Sequence, residues 1–398
     1  MTLAPDLYWD PFDTAIDADP YDVWRRLRDE QPVYRNDRHG FYALSRYADV
    51  EAAHRDPTTY SSAHGTVLEI MTERPMPSAM MIFLDPPDHT RLRSLVNRAF
   101  TPRRVAHLED RIRALCADFL ARWQDSEPFD FVQDFGAPLP AMVIATLLGV
   151  PEPDQPTVRE LIDTTFHHDP EKGMVNDVSL TARIELHQYL EDLVAKRRTD
   201  PQDDMISDLM AAELADHDGT VRQLTTYEAA TFADLLVSAG TETVARLLGW
   251  AAVLLDRHPD QRADLAAHPD VIPNAIEELL RYEAPSPVQG RWLTREVDLH
   301  GVTVPADSKV LLLTGSAGRD ERKYPEAGQF DVRRAFDHHV SFGYGIHFCL
   351  GASLARLEGR IALEEVLARR PEWTVDHEAA VRLHTSTVRG WVNVPVAA

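Results

Sequence analysis

Cysteine is scarce in this chain of 398 residues: only Cys116 and Cys349 occur. Nothing in their contexts suggests a disulfide framework, and there is no cysteine cluster for an iron–sulfur centre. Basic residues are also in short supply, 41 Lys and Arg against 64 Asp and Glu, for a net charge of −23. Phosphate backbones are bound by clustered cations, so this balance argues against a nucleic-acid partner. It disfavours docking on an anionic membrane surface for the same reason. No uncharged apolar run of about 18 residues is present to cross a bilayer. The best candidate, Phe232 to Leu255, is interrupted by Asp234, Glu242 and Arg246. The start, Met1 to Asp6, has no basic region followed by an apolar core, so no secretory signal is read and a cytoplasmic location is expected. The remainder, 44% hydrophobic and 26% charged, is ordinary for a globular protein with a substantial core.

Helical periodicity dominates the chain. It predicts helices over Tyr21–Glu30, Ala48–Arg55, His89–Phe100, Pro102–Trp123 and Leu139–Leu148. A further helical region, Thr157 to Arg198, is broken near His167-His168-Asp169-Pro170. Cys116 falls on the apolar seam of the Pro102–Trp123 helix and reads as a packing residue. The longest helix starts at Thr225, where Thr225-x-x-Glu228 has the form of a capping box, and ends before Pro259. Strand-like runs are few: Val33–Arg35, Phe41–Ser45, Val302–Val304, Val310–Leu313 and Val388–Val396. The segment from Tyr60 to Pro87 is loop-like and carries Met71, Met76, Met80 and Met81 among prolines, suited equally to core packing or to an adaptable pocket wall.

One short segment stands apart. Phe342-Gly343-Tyr344-Gly345-Ile346-His347-Phe348-Cys349-Leu350-Gly351 joins an aromatic anchor, glycines, a basic residue and a cysteine, directly before a helical pattern over Ala352–Arg370. A cysteine just outside a helix N-terminus meets unpaired N–H groups and the positive end of the dipole, which favour the thiolate. Glycines let the backbone approach a flat ligand, and such a loop is how sulfur is presented to haem iron. The spacing F-x-x-G-x-H-x-C-x-G resembles the haem-ligand loop of the cytochrome P-450 superfamily, with every defining position matched.

That resemblance spans almost the whole chain and sets the expectations. It implies a mostly α fold with a small β-rich region, a single domain over 1–398 around a buried haem b. Cys349 becomes the axial thiolate and metal ligand, with Phe342, His347 and Gly351 around it and Ala239 over the iron. In mid-helix, Ala239-Gly240-Thr241-Glu242-Thr243 combines residues that cost helix stability, and alone would fit an ordinary polar kink. The superfamily pattern makes it a local widening of the helix that leaves room for dioxygen, with Glu242 and Thr243 as proton relay. Glu278-Leu279-Leu280-Arg281 has the E-x-x-R form, which on a surface would be a weak i,i+3 pair. The resemblance makes it a structural lock with Arg334 as third member. His89 and Arg93, at i,i+4 on one face, join Arg291 and His347 near the haem propionates, a role to which arginine is suited. Adjacent His167 and His168 point apart and lack further ligands, so they read as lid residues.

The expected activity is insertion of one oxygen atom from O2 into an apolar small molecule. Oxidative coupling, desaturation, peroxygenase activity and a non-catalytic haem carrier stand as alternatives. Electrons would come from a separate ferredoxin with its reductase, or from a flavodoxin. Leu235, Val288, Thr387 and Val388 are expected pocket residues, with the loop 66–82 and a lid over Phe166–Val178. The locally basic stretch Arg91, Arg93, Arg98, Arg103, Arg104, Arg111 and Arg113 is an expected docking face for an acidic redox partner.

Overall fold

The computed structural model describes residues 7–75, 78–100, 102–124, 128–165, 176–216, 218–335 and 337–397. Helices form most of the mass, and one of them organises the rest. Thr226–Arg257 runs 32 residues, about 48 Å at the usual rise, through the middle of the molecule. Its start is fixed by the capping box: Thr225 Oγ1 accepts from the Glu228 amide at 3.2 Å, while Glu228 Oε2 accepts from the Thr225 amide at 2.8 Å. The stretch Val244 to Leu255, about three turns, is buried on every side. This central helix packs against Pro138–Leu148, Asp177–Thr199, the C-terminal strand Arg389–Asn393 and the helix Ala352–Arg369 that follows the cysteine loop.

The β structure is peripheral. A five-stranded sheet takes the order Val33–Asn36, Phe41–Leu44, Lys309–Leu312, Gln289–Leu293, Tyr60–Ser61, with one parallel pairing, Lys309–Leu312 on Phe41–Leu44. Strand Gln289–Leu293 therefore lies between a hairpin layer and the loop that follows Ser61. Gly290 is required there, because a Cβ would come within 3.0 Å of the Thr66 backbone. Near the C-terminus, Val381–His384 and Arg389–Asn393 form a hairpin pinned to the central helix. The Arg382 guanidinium sits 4.5 Å from both the Trp250 and Trp391 rings.

Four expectations need correction. Pro102–Trp123 is two helices, Pro102–Ala106 and Glu109–Leu120; Leu108 closes a tight turn onto Val105, and Glu109 and Asp110 suit a new N-terminus. Val388–Val396 is also two elements: Val394 turns away to Asp130, with its amide on Asp130 Oδ1 at 3.0 Å, and Pro395 starts a strand in another sheet. The stretch nearest to a membrane span is not Phe232–Leu255 but Phe131–Leu148, which is long and apolar enough by composition yet 72% buried as a core element. Finally, the central helix is α-helical throughout Ala239–Thr243, with no widened turn. Threonine hydroxyls there bond back along the helix, Thr241 to Val237 O at 2.7 Å and Thr243 to Ala239 O at 2.9 Å, which satisfies the carbonyls without opening the turn.

The methionines of the loop divide. Met71 and Met81 are buried in two separate apolar clusters and Met80 is half-buried, while Met76 lies outside the described residues. His167, His168 and most of the expected lid, 166–175, are outside them too.

Candidate active site

The cysteine loop is shaped by two left-handed glycines, Gly343 and Gly345, at φ 69° and 67°. At Gly345 a side chain would also meet the His54 carbonyl at 2.5 Å, so only glycine fits. The loop closes with the Cys349 amide on Phe342 O at 2.9 Å, and Gly351 caps the following helix. Phe342 is held beneath by Arg356, whose guanidinium lies 4.6 Å from its ring. Burial raises the Cys349 thiol above its ordinary range; the Gly351 N–H, Arg93 and Arg356 pull it only partway back. The Gly351 N–H at the helix start acts in the expected direction, toward the thiolate, and a bound metal cation is the partner that would hold the buried sulfur ionised.

Above this loop the structure gathers His89, Arg93, Arg291 and His347, together with His54, which the sequence reading missed. The His89 and His347 rings are 4.2 Å apart. Burial depresses His89 to about 4, with Arg93 adding to the effect. Burial also takes His347 down to about 2, helped by Arg291, and His54 down to about 3. Arg291 is 5% exposed and depressed to about 10 by burial, and its guanidinium makes one hydrogen bond, to Gly290 O at 2.7 Å. Both ring nitrogens of His89 and His54, and Nε2 of His347, have no partner among the described residues. Asp85, the acid that Arg291 feels, is committed to the Ser61 hydroxyl and the Ser62 amide. Buried donors and cations without an acid call for an anionic ligand. A planar group with two carboxylates, over a cysteine at a helix start, fits this donor set. A lone histidine on the Tyr47–Arg55 helix gives no signal in the sequence, which is why His54 was missed.

The central helix carries the remaining expected residues. Ala239 is exposed and Thr243 half-buried, one turn apart on the same face. Glu242 is buried and ion-paired with Arg246, whose Nε and Nη2 both reach Glu242 Oε1, at 2.9 and 2.7 Å. Arg246 lies at i+4 from Glu242, a spacing visible in the sequence but not used.

Glu278, Arg281 and Arg334 come together in a cluster that is fully satisfied. Glu278 and Arg281 are both 0% exposed and bonded at 2.6 and 2.7 Å. Arg281 also donates to the carbonyls of Gly318, Ala327 and Gln329, while Arg334 Nε reaches Glu278 Oε1 at 3.3 Å. Gly318 has to be glycine, since a Cβ would lie 2.3 Å from the Arg281 carbonyl.

The chain matches the family model "Cytochrome P450" over residues 32–272 and 267–395. It belongs to the cytochrome P450 family. Among its P450 relatives, a protein of Mycobacterium tuberculosis described as a putative cytochrome P450 123 is 39% identical, covering 99% of this chain and 97% of its own. The vitamin D(3) 25-hydroxylase of Pseudonocardia autotrophica is 38% identical, covering 97% of this chain and 96% of its own. A solved structure, the open cytochrome P450 Eryk from S. erythraea, superposes with a TM-score of 0.87 at 36% identity over 96% of both chains. The fold is the mostly α P450 fold, and the protein is a haem-thiolate monooxygenase of this family.

Of the expected pocket residues, Thr387 and Val288 are brought together, the Thr387 hydroxyl donating to Val288 O at 2.8 Å. Val288 is buried in the same apolar cluster as Leu68 and Met71, Val388 is half-buried beside Thr387, and Leu235 is half-buried on the central helix. The expected docking stretch is largely neutralised. Arg91 pairs with Asp88 and Asp216, Arg104 with Asp203 and Asp208, and Arg113 with Glu109, Glu364 and Glu365. Arg93 belongs to the cationic cluster, and the Arg98 side chain lies outside the described residues, so Arg103 and Arg111 are what remains of that face.

Proposed function

We propose that this P450 hydroxylates a moderately large apolar molecule with O2, using Cys349 Sγ as the iron ligand. The observation that carries this reading is the cluster of Arg93, Arg291, His89 and His347, with no acid paired to it among the described residues, beside a cysteine at a helix start. Haem bound there would supply oxygen activation, its thiolate ligand favouring O–O cleavage. Arg93 and Arg291 would neutralise the two propionates, with His89 and His347 donating hydrogen bonds. Phe342 and Arg356 would shield and steady the sulfur from below. On the opposite face Ala239, with its small side chain, leaves space for a diatomic ligand. Thr243 Oγ1 has its own proton on the Ala239 carbonyl and keeps lone pairs to accept a bond, and Glu242 is the acid that replenishes protons.

Leu235, Val288, Thr387 and Val388 would line the substrate space. The vitamin D(3) 25-hydroxylase activity of the Pseudonocardia relative supports a large apolar substrate class. Electrons would arrive from a ferredoxin with its reductase, or a flavodoxin, and the location would be cytoplasmic.

Cys349→Ala should lose haem or lose the red-shifted Soret band of the carbon-monoxide complex, while Cys116→Ala keeps both. A thiolate-type band surviving in Cys349→Ala would sink the ligand assignment. For the reaction, Thr243→Ala with a surrogate ferredoxin system should consume NADPH and release peroxide with little product. Unchanged product per NADPH would place the relay elsewhere. Glu242→Gln should slow turnover by about 10²-fold or more.

A further inference from the structure

The acid of the relay is not free in its helix. Glu242 carries both of its hydrogen bonds on Oε1, from the Arg246 guanidinium, and Oε2 makes none among the described residues. Arg246 is itself fixed: its Nη1 donates to the Trp391 carbonyl, and its aliphatic stem is pressed on Gly390. A Cβ at Gly390 would come within 2.6 Å of Arg246 Cδ and 2.8 Å of its Cβ. Gly390 and Trp391 belong to Arg389–Asn393, the second strand of the hairpin whose turn carries Thr385 to Val388. That turn is tied in turn to Val288 through Thr387, and to Glu69 of the loop after Ser61 through Ser386.

We propose that Arg246 is a positioning residue for proton delivery, which ties the relay acid Glu242 to the C-terminal hairpin and so to the turn that walls the substrate space. This rests on the reading of Glu242 as the relay acid. With Oε1 anchored, Oε2 is the oxygen left to take up and pass a proton, and the guanidinium compensates the charge of a buried carboxylate. Without Arg246 a buried carboxylate would hold its proton to higher pH, and its orientation would no longer follow the hairpin. Three other charges on the packed elements have partners of their own, while Glu358 on Ala352–Arg369 leaves its Oε2 without one among the described residues. Asp163, on Gln155–Thr165, feels the Glu242 charge but is paired with Arg159 at 3.4 Å. On the hairpin, Arg389 is bonded to Glu283, and Arg382 lies on indole faces and donates to Ala18 O. Arg246 is therefore the ionic partner of Glu242 among the described residues.

The test uses the haem-loaded enzyme and two readouts: the infrared titration of the Glu242 carboxyl in the resting ferric protein, identified by its loss in Glu242→Gln, and the pH profile of turnover. Arg246→Leu should move the carboxyl titration up by about 1–3 pH units and carry the turnover profile with it. Arg246→Lys, which keeps the charge, should restore most of the titration. Gly390→Ala keeps every charge but displaces the guanidinium, and should move the titration in the same direction by a smaller amount. Should Arg246→Leu fail to hold haem, Gly390→Ala decides. An unmoved Glu242 titration in haem-loaded Arg246→Leu, or in Gly390→Ala when the former does not load, overturns the proposal. In the Glu242→Gln background, Arg246→Leu should change turnover no further, as expected of two groups acting as a unit. If Glu242→Gln alone leaves turnover intact, the relay reading has failed. If Glu242→Gln slows turnover while the Arg246 and Gly390 variants leave titration and profile unchanged, only the positioning role has failed.

Discussion

Two buried clusters of charge in this P450 are built in opposite ways. Around Glu278 each partner is supplied by the chain: Arg281, Arg334, the Asp331 amide and three backbone carbonyls close the set. Around Arg291 the described residues supply cations and donors but no acid paired to them. Protein interiors do not tolerate unmatched charge without a reason. The first cluster is complete as folded and serves the fold; the second is complete only with an anionic ligand and serves the site. Burial alone does not distinguish them, since Arg281 and Arg291 are both buried. The inventory of partners does.

The contrast is sharpest under substitution. Arg281→Ala strips Glu278 of its main partner and leaves a buried charge, at a cost of about 3–5 kcal/mol. That is a large share of a typical stability of roughly 5–15 kcal/mol, so poor expression and haem-free protein are expected. Soluble, haem-loaded Arg281→Ala would show that the chain does not depend on this lock.

Arg291→Leu should behave in the reverse sense. Depression of Arg291 from 12.5 to about 10 corresponds to a cost on the order of 3 kcal/mol for keeping the charge in the haem-free protein. Removing it should leave haem-free protein as stable as before or more so, in urea unfolding, while haem is lost faster to a competing apoprotein. If Arg291→Leu destabilises haem-free protein as Arg281→Ala does, the two clusters are of one kind.

A smaller effect is expected at Glu277, which stands between the two. Burial opposes its ionisation, but hydrogen bonds from Arg356 and His339 overcome this and pull it from 4.5 down to about 2. A carboxylate depressed in the folded state stabilises above its unfolded value and loses that contribution as pH falls. The Glu277 contribution is thus full above 4.5 and lost on the way down to about 2. With the side chain partly exposed, it amounts to on the order of 1–2 kcal/mol. Glu277→Gln should flatten the acid limb of the stability curve in that window; an unchanged limb would mean that Arg356 holds Phe342 without its help.

Much of this was legible in the chain itself. The cysteine loop, the capping box at Thr225, the long central helix and the E-x-x-R pair are local patterns, and local patterns follow from dihedral preferences and spacings of three or four residues. The break at Val394 was not, because it is set by Asp130, a partner far along the chain. Nor did spacing reveal that Arg91, Arg104 and Arg113 are spent on acids, each of them reaching an acid more than a hundred residues away.

The sequence by itself determined the family and the cofactor class, since a cysteine at a helix start between glycines is a local arrangement. Only the tertiary structure decided how the site residues are charged and held. Whether Cys349 is ionised, whether Arg291 has a partner and where Glu242 is anchored depend on burial and on side chains brought in from distant segments. Desolvation and ion pairing act through space, and the chain order does not contain them.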